Sequence, residues 1–268
     1  MKKFVDLTKL LILLLFLLTA CKKNAVTGRK QIALFPENVL QQQSLSLYRS
    51  FLISNKVIVP SGNNDAEMVN RVGKKISTAI TEFYASKGLS KELEGYNWEF
   101  NLVNNNEANA WCMPGGKVVV YTGLLPYTKD ENALAVVLGH EITHAVAHHG
   151  NERLSQGLIA QGVQVSGNVF MQNNQKANAI FNSVFTPGAN MAYLLPNSRK
   201  QEFEADRFGL IFAAIAGYDP RSAIGFWTRM NQAYANKTPE FLATHPSNEN
   251  RIKKLNEVMD EALRYYKK

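Results

Sequence analysis

Residues 138–150, LGHEITHAVAHHG, hold four of the chain's five histidines within ten positions. His140 and His144 stand four apart, with Glu141 beside the first. On a helix, positions i and i+4 lie about 40° apart on one face, so both imidazoles reach one ion. Glu141 then sits where a carboxylate can take a proton from a water at that ion. A catalytic zinc uses three protein ligands and keeps a further position for water, so this pair requires a third donor.

Spacing restricts where that donor lies. Completion within the same segment would need a glycine three residues after His144 and a histidine three later, but Ala147 and Gly150 hold those places. Glu152 falls two turns beyond His144 on the same helix, too far along to close on the ion. From there no Asp, Glu, His or Cys occurs until Glu202, in NSRKQEFEADRFG. Glu202 and Asp206 share a helix face, whereas Glu204 points roughly 160° away from Glu202. Glu202 is therefore read as the third ligand and Asp206 as the acceptor of a hydrogen bond from a ligating imidazole. His148, one turn beyond His144 on the same face, reads as a residue that backs a ligand or packs rather than a ligand itself, and His149, on the opposite face, as a packing residue.

HEITH, followed by SRKQEFEADRFG and then ATHPSNENRI, resembles the HtpX-like and CAAX-prenyl-protease-type zinc metallopeptidases (gluzincins), in their soluble lipoprotein branch. The segment ANAWCMPGGKVVVYTGLL matches as well, and the resemblance covers about residues 25–260. It implies an α+β, predominantly helical, zincin-like domain with a small sheet and an active-site helix. It also implies endopeptidase activity with one Zn2+ per chain on His140, His144 and Glu202. His245 is placed near the substrate carbonyl, with Arg251 six residues on. Two roles for His245 stay open: stabilising an oxyanion, or filling zinc's fourth position and holding the enzyme latent. The strand at Asn109, Ala110 and Trp111 is either an edge to which an extended substrate adds or an ordinary edge covered by a loop. The rival to an enzyme is a zinc-stabilised, non-cleaving binding or assembly factor for envelope proteins.

The elements that must carry these residues follow from pattern. Pro36 opens a helix to about Phe51. A second, with apolar spacing from Met68 to Phe83, stops at Gly88. Pro114-Gly115-Gly116 marks a hairpin over 109–122. A helix from Asp130-Glu131 runs through the histidines to about His149. Residues 153–200 read as helical excursions. Three further helices span about 198–216, 220–235 (Asp219 as cap) and 247–267 (Ser247 as cap).

With 268 residues, 46% apolar, the chain has material for a substantial core. Residues 1–20 stand outside it: a basic start and a nine-residue apolar run, Leu10 to Leu18, read as a secretory signal and are too short to span a bilayer. Leu18-Thr19-Ala20-Cys21 resembles the bacterial lipobox, so Cys21 is the expected site of lipidation and membrane anchoring. Residues 21–35 then read as a lipidated tether and 36–268 as the peptidase domain. Lys22 after the cysteine resembles lipoproteins sorted to the outer membrane, facing the periplasm. The remaining cysteine, Cys112, has no intrachain partner once Cys21 is lipidated. Of the net charge of +8, Lys2, Lys3, Lys9 and Asp6 account for +2, leaving +6. No Lys/Arg stripe interleaved with aromatics points to nucleic acid. The expected partners are the membrane, through that lipid, and unfolded or misfolded envelope proteins as substrates.

Overall fold

The computed structural model describes residues 21–162, 175–186, 199–233, 245 and 249–267. Residues 1–20 and the side chain of Cys21 lie outside this set, as does Ser247. Among the described residues, no helix is long and apolar enough to cross a membrane.

At the centre lies α3 (Glu131–Val146), buried at every position from Ala133 to Val146. A helix covered on all sides carries apolar residues all round, which is why its sequence shows no amphipathic stripe. It begins at Asp130, whose side chain accepts from the Ala133 N–H at 2.9 Å. Against it pack α2 (Asn64–Ser86), α6 (Arg199–Ile215), α7 (Ser222–Ala233) and one face of a four-stranded sheet. Val72, Ile76, Leu134, Leu138, Ile142, Phe212 and Phe226 fill the space between them. On α6 lies α8 (Glu249–Leu263). A separate apolar cluster joins α1 (Glu37–Ser54), α4 (His149–Ala160) and α5 (Gln175–Phe185).

The sheet runs β3-β4-β6-β5, from β3 (Val57–Ile58), β4 (Glu99–Val103), β5 (Ala110–Met113) and β6 (Lys117–Tyr121). The expected hairpin about Pro114-Gly115-Gly116 is present, with β5 antiparallel to β6. The other neighbour of β6 is β4, paired parallel, so β5 is left at the edge alongside α3.

Two elements depart from the sequence reading. Residues 21–35, read as a tether, contain regular structure. β1 (Cys21–Lys23) and β2 (Lys30–Ile32) form an antiparallel hairpin, with Cys21 opposite Ile32. Gly28, at φ +71°, closes its turn, and Asn24 is buried. The histidine helix also stops short of His149. α3 ends at Val146, His148 takes the left-handed conformation (φ 57°, ψ 30°), and α4 starts at His149. A non-glycine residue is strained in that conformation. Here ion pairs help to hold it: His148 Nδ1 lies 3.2 Å from Glu37 Oε2, and its Nε2 3.8 Å from Glu92 Oε2.

Burial pushes the His148 imidazole down, but Glu37 and Glu92 outweigh it and lift it to about 9. An unfolded histidine titrates near 6.5, so the charged pair contributes fully below that pH and is lost as pH rises through about 9. We expect metal-free protein to lose up to about 3 kcal/mol of stability across this window. His148→Gln should flatten the fall, as read from denaturant midpoints at pH 6 and 9. Equal slopes in the two proteins would remove His148 from this role.

Candidate metal centre

Four side chains converge where α3 crosses α6. His140 Nε2 and His144 Nε2 are 3.1 Å apart. Glu202, from the first turn of α6, brings Oε1 to 3.3 Å from His144 Nε2 and Oε2 to 3.5 Å from His140 Nε2. His245 adds Nδ1, 3.1 Å from His140 Nε2 and 3.2 Å from Glu202 Oε1. One donor atom from each of the four lies within 4.8 Å of the others, and all four residues are buried.

The crossing is close because each helix presents a glycine to the other. A Cβ on Gly139 would stand 2.6 Å from the Gly209 carbonyl oxygen, and one on Gly209 would stand 2.8 Å from the His140 nitrogen. Backbone therefore touches backbone one residue from the first histidine and one turn from Asp206.

Groups on the outer side set the direction of each imidazole. His140 Nδ1 donates to Asp206 Oδ1 at 3.0 Å, which leaves the Nε2 lone pair facing inward. Arg251 Nη2 donates to the same oxygen at 2.6 Å, and its Nη1 lies 3.3 Å from both Glu202 Oε2 and the His245 carbonyl oxygen. The guanidinium stacks 3.5 Å over the Trp227 ring, whose π-face compensates its burial.

His144 is backed by His149, with the two Nδ1 atoms 2.8 Å apart. His149 Nε2 in turn meets Glu204 Oε2 at 3.0 Å. This corrects the reading of His149 as a packing residue on the far face: the break at His148 turns it back toward the site. His148, expected on the His144 side, instead faces Glu37 and Glu92. Glu204 does point away from the ligand atoms, and what it reaches is His149 and Arg29.

Charge in the site suits a dication. Burial works against the Glu202 carboxylate, but His245, His140 and His144 together hold it well below the usual range. Burial keeps His144 neutral, its value well below that of a free imidazole. For His140 burial is outweighed by Asp206 and Glu202, which lift it to about 9, so an incoming cation displaces a proton there. Glu202 Oε2 and Glu141 Oε1 are buried without a hydrogen-bond partner among the described residues. Two inward imidazole nitrogens and a buried carboxylate are the donor set of a zinc site, and the residues fit that ion.

Glu141 lies next to this set, with Oε1 3.4 Å from His245 Nε2. β5 runs alongside. Asn109 pairs with Tyr121 across the hairpin, so by alternation Ala110 and Cys112 turn their backbone groups to the outer edge, which no strand among the described residues covers. Asn109 Oδ1 already accepts from the Ala110 N–H at 2.8 Å. Trp111 packs edge-on against Phe51 of α1.

The model of peptidase family M48 matches residues 70–259, a span that includes every residue of the four-donor group. Mitochondrial metalloendopeptidase OMA1 of Arabidopsis thaliana is 38% identical over 182 residues, covering 66% of this chain and 35% of that protein. Its namesake in Schizosaccharomyces pombe is 38% identical over 189 residues, 70% of this chain and 53% of that one. The beta-barrel assembly-enhancing protease of Escherichia coli is 32% identical over 162 residues, 58% of this chain and 33% of that one. This chain thus spans from a third to about half of these relatives. With a matched region that runs from α2 into α8 and takes in both ligand-bearing helices, the chain belongs to peptidase family M48.

Proposed function

We propose that this protein is a zinc-dependent endopeptidase of the bacterial cell envelope that degrades misfolded or misassembled envelope proteins. The observation that carries the chemistry is Glu141, whose buried Oε1 has no hydrogen-bond partner among the described residues and sits beside the ligand set. A purely structural metal site has no use for such a base.

When bound, zinc supplies Lewis-acid chemistry, polarising a peptide carbonyl and bringing the pKa of water toward about 7. The chain's own residues do the rest. Burial lifts the Glu141 carboxyl above its usual range, against the pull of His245 and His140, so it is suited to hold a proton in transit. Oε1 takes the proton of the attacking water and later delivers it to the leaving amide nitrogen. An extended substrate adds to the outer edge of β5, presenting its backbone beside α3. His245, its Nδ1 among the other donors, would close the site to water as a fourth protein ligand when zinc is bound. Cleavage requires it to move out.

The envelope assignment is supported by the signal-like residues 1–20, by the lipobox-like Leu18-Thr19-Ala20-Cys21, and by the similarity to the beta-barrel assembly-enhancing protease of Escherichia coli. Lys22 favours the outer membrane, facing the periplasm.

Zinc content and casein cleavage, measured with and without chelator on the protein and on His245→Ala, test this reading. We expect one zinc per chain, chelator-sensitive cleavage, and several-fold faster cleavage by the variant. Zinc without cleavage in either protein would establish the non-cleaving binding factor instead. Slower cleavage by His245→Ala would mean that its imidazole stabilises the oxyanion and latency by this route is wrong.

A further inference from the structure

We propose that the amino-terminal hairpin is part of the metal centre, with Arg29 a positioning residue that acts through Glu204 and His149 on His144. The inference rests on the zinc site proposed above.

Ligation through His144 Nε2 needs the lone pair on that atom and the proton on Nδ1. Nδ1 stands 2.8 Å from His149 Nδ1, and the two atoms share one proton. With that proton on His144, His149 must accept at Nδ1 and carry its own proton at Nε2. There it donates to Glu204 Oε2 at 3.0 Å. The other oxygen of Glu204 accepts from Arg29 Nε at 2.7 Å. The ionised carboxylate of Glu204 can only accept, so it fixes the direction of the bonds back to His144, and Arg29 holds that carboxylate charged and in place.

Arg29 is itself held firmly. Its Nη1 and Nη2 form a two-pronged bond to Glu152 Oε1 and Oε2, each at 2.6 Å. Gln201 donates to Glu152 Oε2 at 2.6 Å from the α6 side. The hairpin turn is anchored at a second point, where Asn24 Nδ2 donates to the carbonyl oxygen of Ala147 at 3.0 Å, at the end of the histidine helix. The hairpin therefore grips the break between α3 and α4, which is the feature that turns His149 toward His144.

Loss of Arg29 leaves Glu204 without the cation that holds it in place; once the carboxylate swings away from Nε2, His149 is free to keep its proton on Nδ1 instead. In that tautomer His149 donates to His144, whose proton moves to Nε2 and blocks the ligand atom. The first ligand is backed by an equivalent pair, Asp206 and Arg251. Both imidazoles thus rest on a carboxylate held by an arginine, one arginine from each end of the fold.

The test is zinc affinity, by competition with a chromophoric chelator, together with the visible spectrum of the cobalt-substituted protein, in the full chain. Arg29→Met and Glu204→Gln should each weaken zinc by about 10- to 100-fold and alter the cobalt bands. Arg29→Lys, which keeps charge but not the fork, should fall between. Glu152→Gln, which leaves the Arg29 Nε bond to Glu204 in place, should weaken zinc less than Glu204→Gln does. If Arg29→Met fails to fold, Glu204→Gln decides. Zinc affinity and cobalt spectrum unchanged in Glu204→Gln and in folded Arg29→Met would overturn the proposal and leave Arg29 a structural ion pair. Because the readout is metal binding, an unsubstituted protein that binds zinc without cleaving defeats the peptidase reading alone; one that binds no zinc defeats both.

Discussion

Glu141→Gln is expected to retain one zinc per chain and to lose cleavage by about 10³-fold, within the range assigned to a positioned acid–base group. The amide is nearly isosteric with the carboxylate and adjoins, but does not belong to, the four-donor group. Its neighbour His140 keeps Asp206 and Arg251 behind it. What disappears is the capacity to take a proton, since a neutral amide oxygen is far too weak a base. Metal analysis beside a casein assay separates the outcomes. Loss of zinc along with activity would make Glu141 a ligand or a structural support, and the base would have to be sought elsewhere.

The second large effect is expected at the crossing of the ligand helices. Gly139→Ala gains up to about 1 kcal/mol in helix propensity. Against this stands a Cβ placed 2.6 Å from the Gly209 carbonyl oxygen and 3.1 Å from its Cα. The obstacle is backbone on a buried helix, so no side-chain rotation relieves it and the helices must part. Overpacking of this kind costs about 1–3 kcal/mol and sometimes more, so a net loss of about 1–2 kcal/mol is expected. The neighbouring His140 shifts away from Glu202, and zinc affinity falls with stability. Denaturant midpoints and zinc titration of Gly139→Ala and Gly209→Ala measure both. A variant with unchanged midpoint and affinity would show that the close approach does not hold the site.

The parts of this site that could be read in the sequence are those encoded locally. His140 and His144 sit four apart inside one unbroken helix, and the stretch without donors up to Glu202 leaves little choice for a partner. Helical phase also separates Glu204 from Glu202 and Asp206, as the structure has them. Phase fails at His149, because it was carried across a helix break that no Gly or Pro marks at positions 147 and 148. The hairpin over 109–122 announces itself through Pro114-Gly115-Gly116, whereas the parallel pairing of β4 with β6 has no local signal. The amino-terminal hairpin was legible only in part. Asn24 and Gly28 are turn residues, with Asn24 Oδ1 accepting from the Val26 and Thr27 N–H groups. The value of the hairpin, however, comes from Asn24 and Arg29 reaching Ala147 and Glu152, each 123 residues away. Contacts of that range leave no periodicity to detect.

That spread across the chain also governs when the centre comes into being. The first ligand pair lies on α3, the third donor on α6, and the arginine that fixes His140's backing carboxylate on α8. A chain folded only as far as α3 therefore carries the two histidines and a hairpin that has not yet met Glu204. Its contacts must wait for segments far along the sequence, and such closures come late in folding. The ligand set is therefore complete only once α6 and the segment bearing His245 have joined α3.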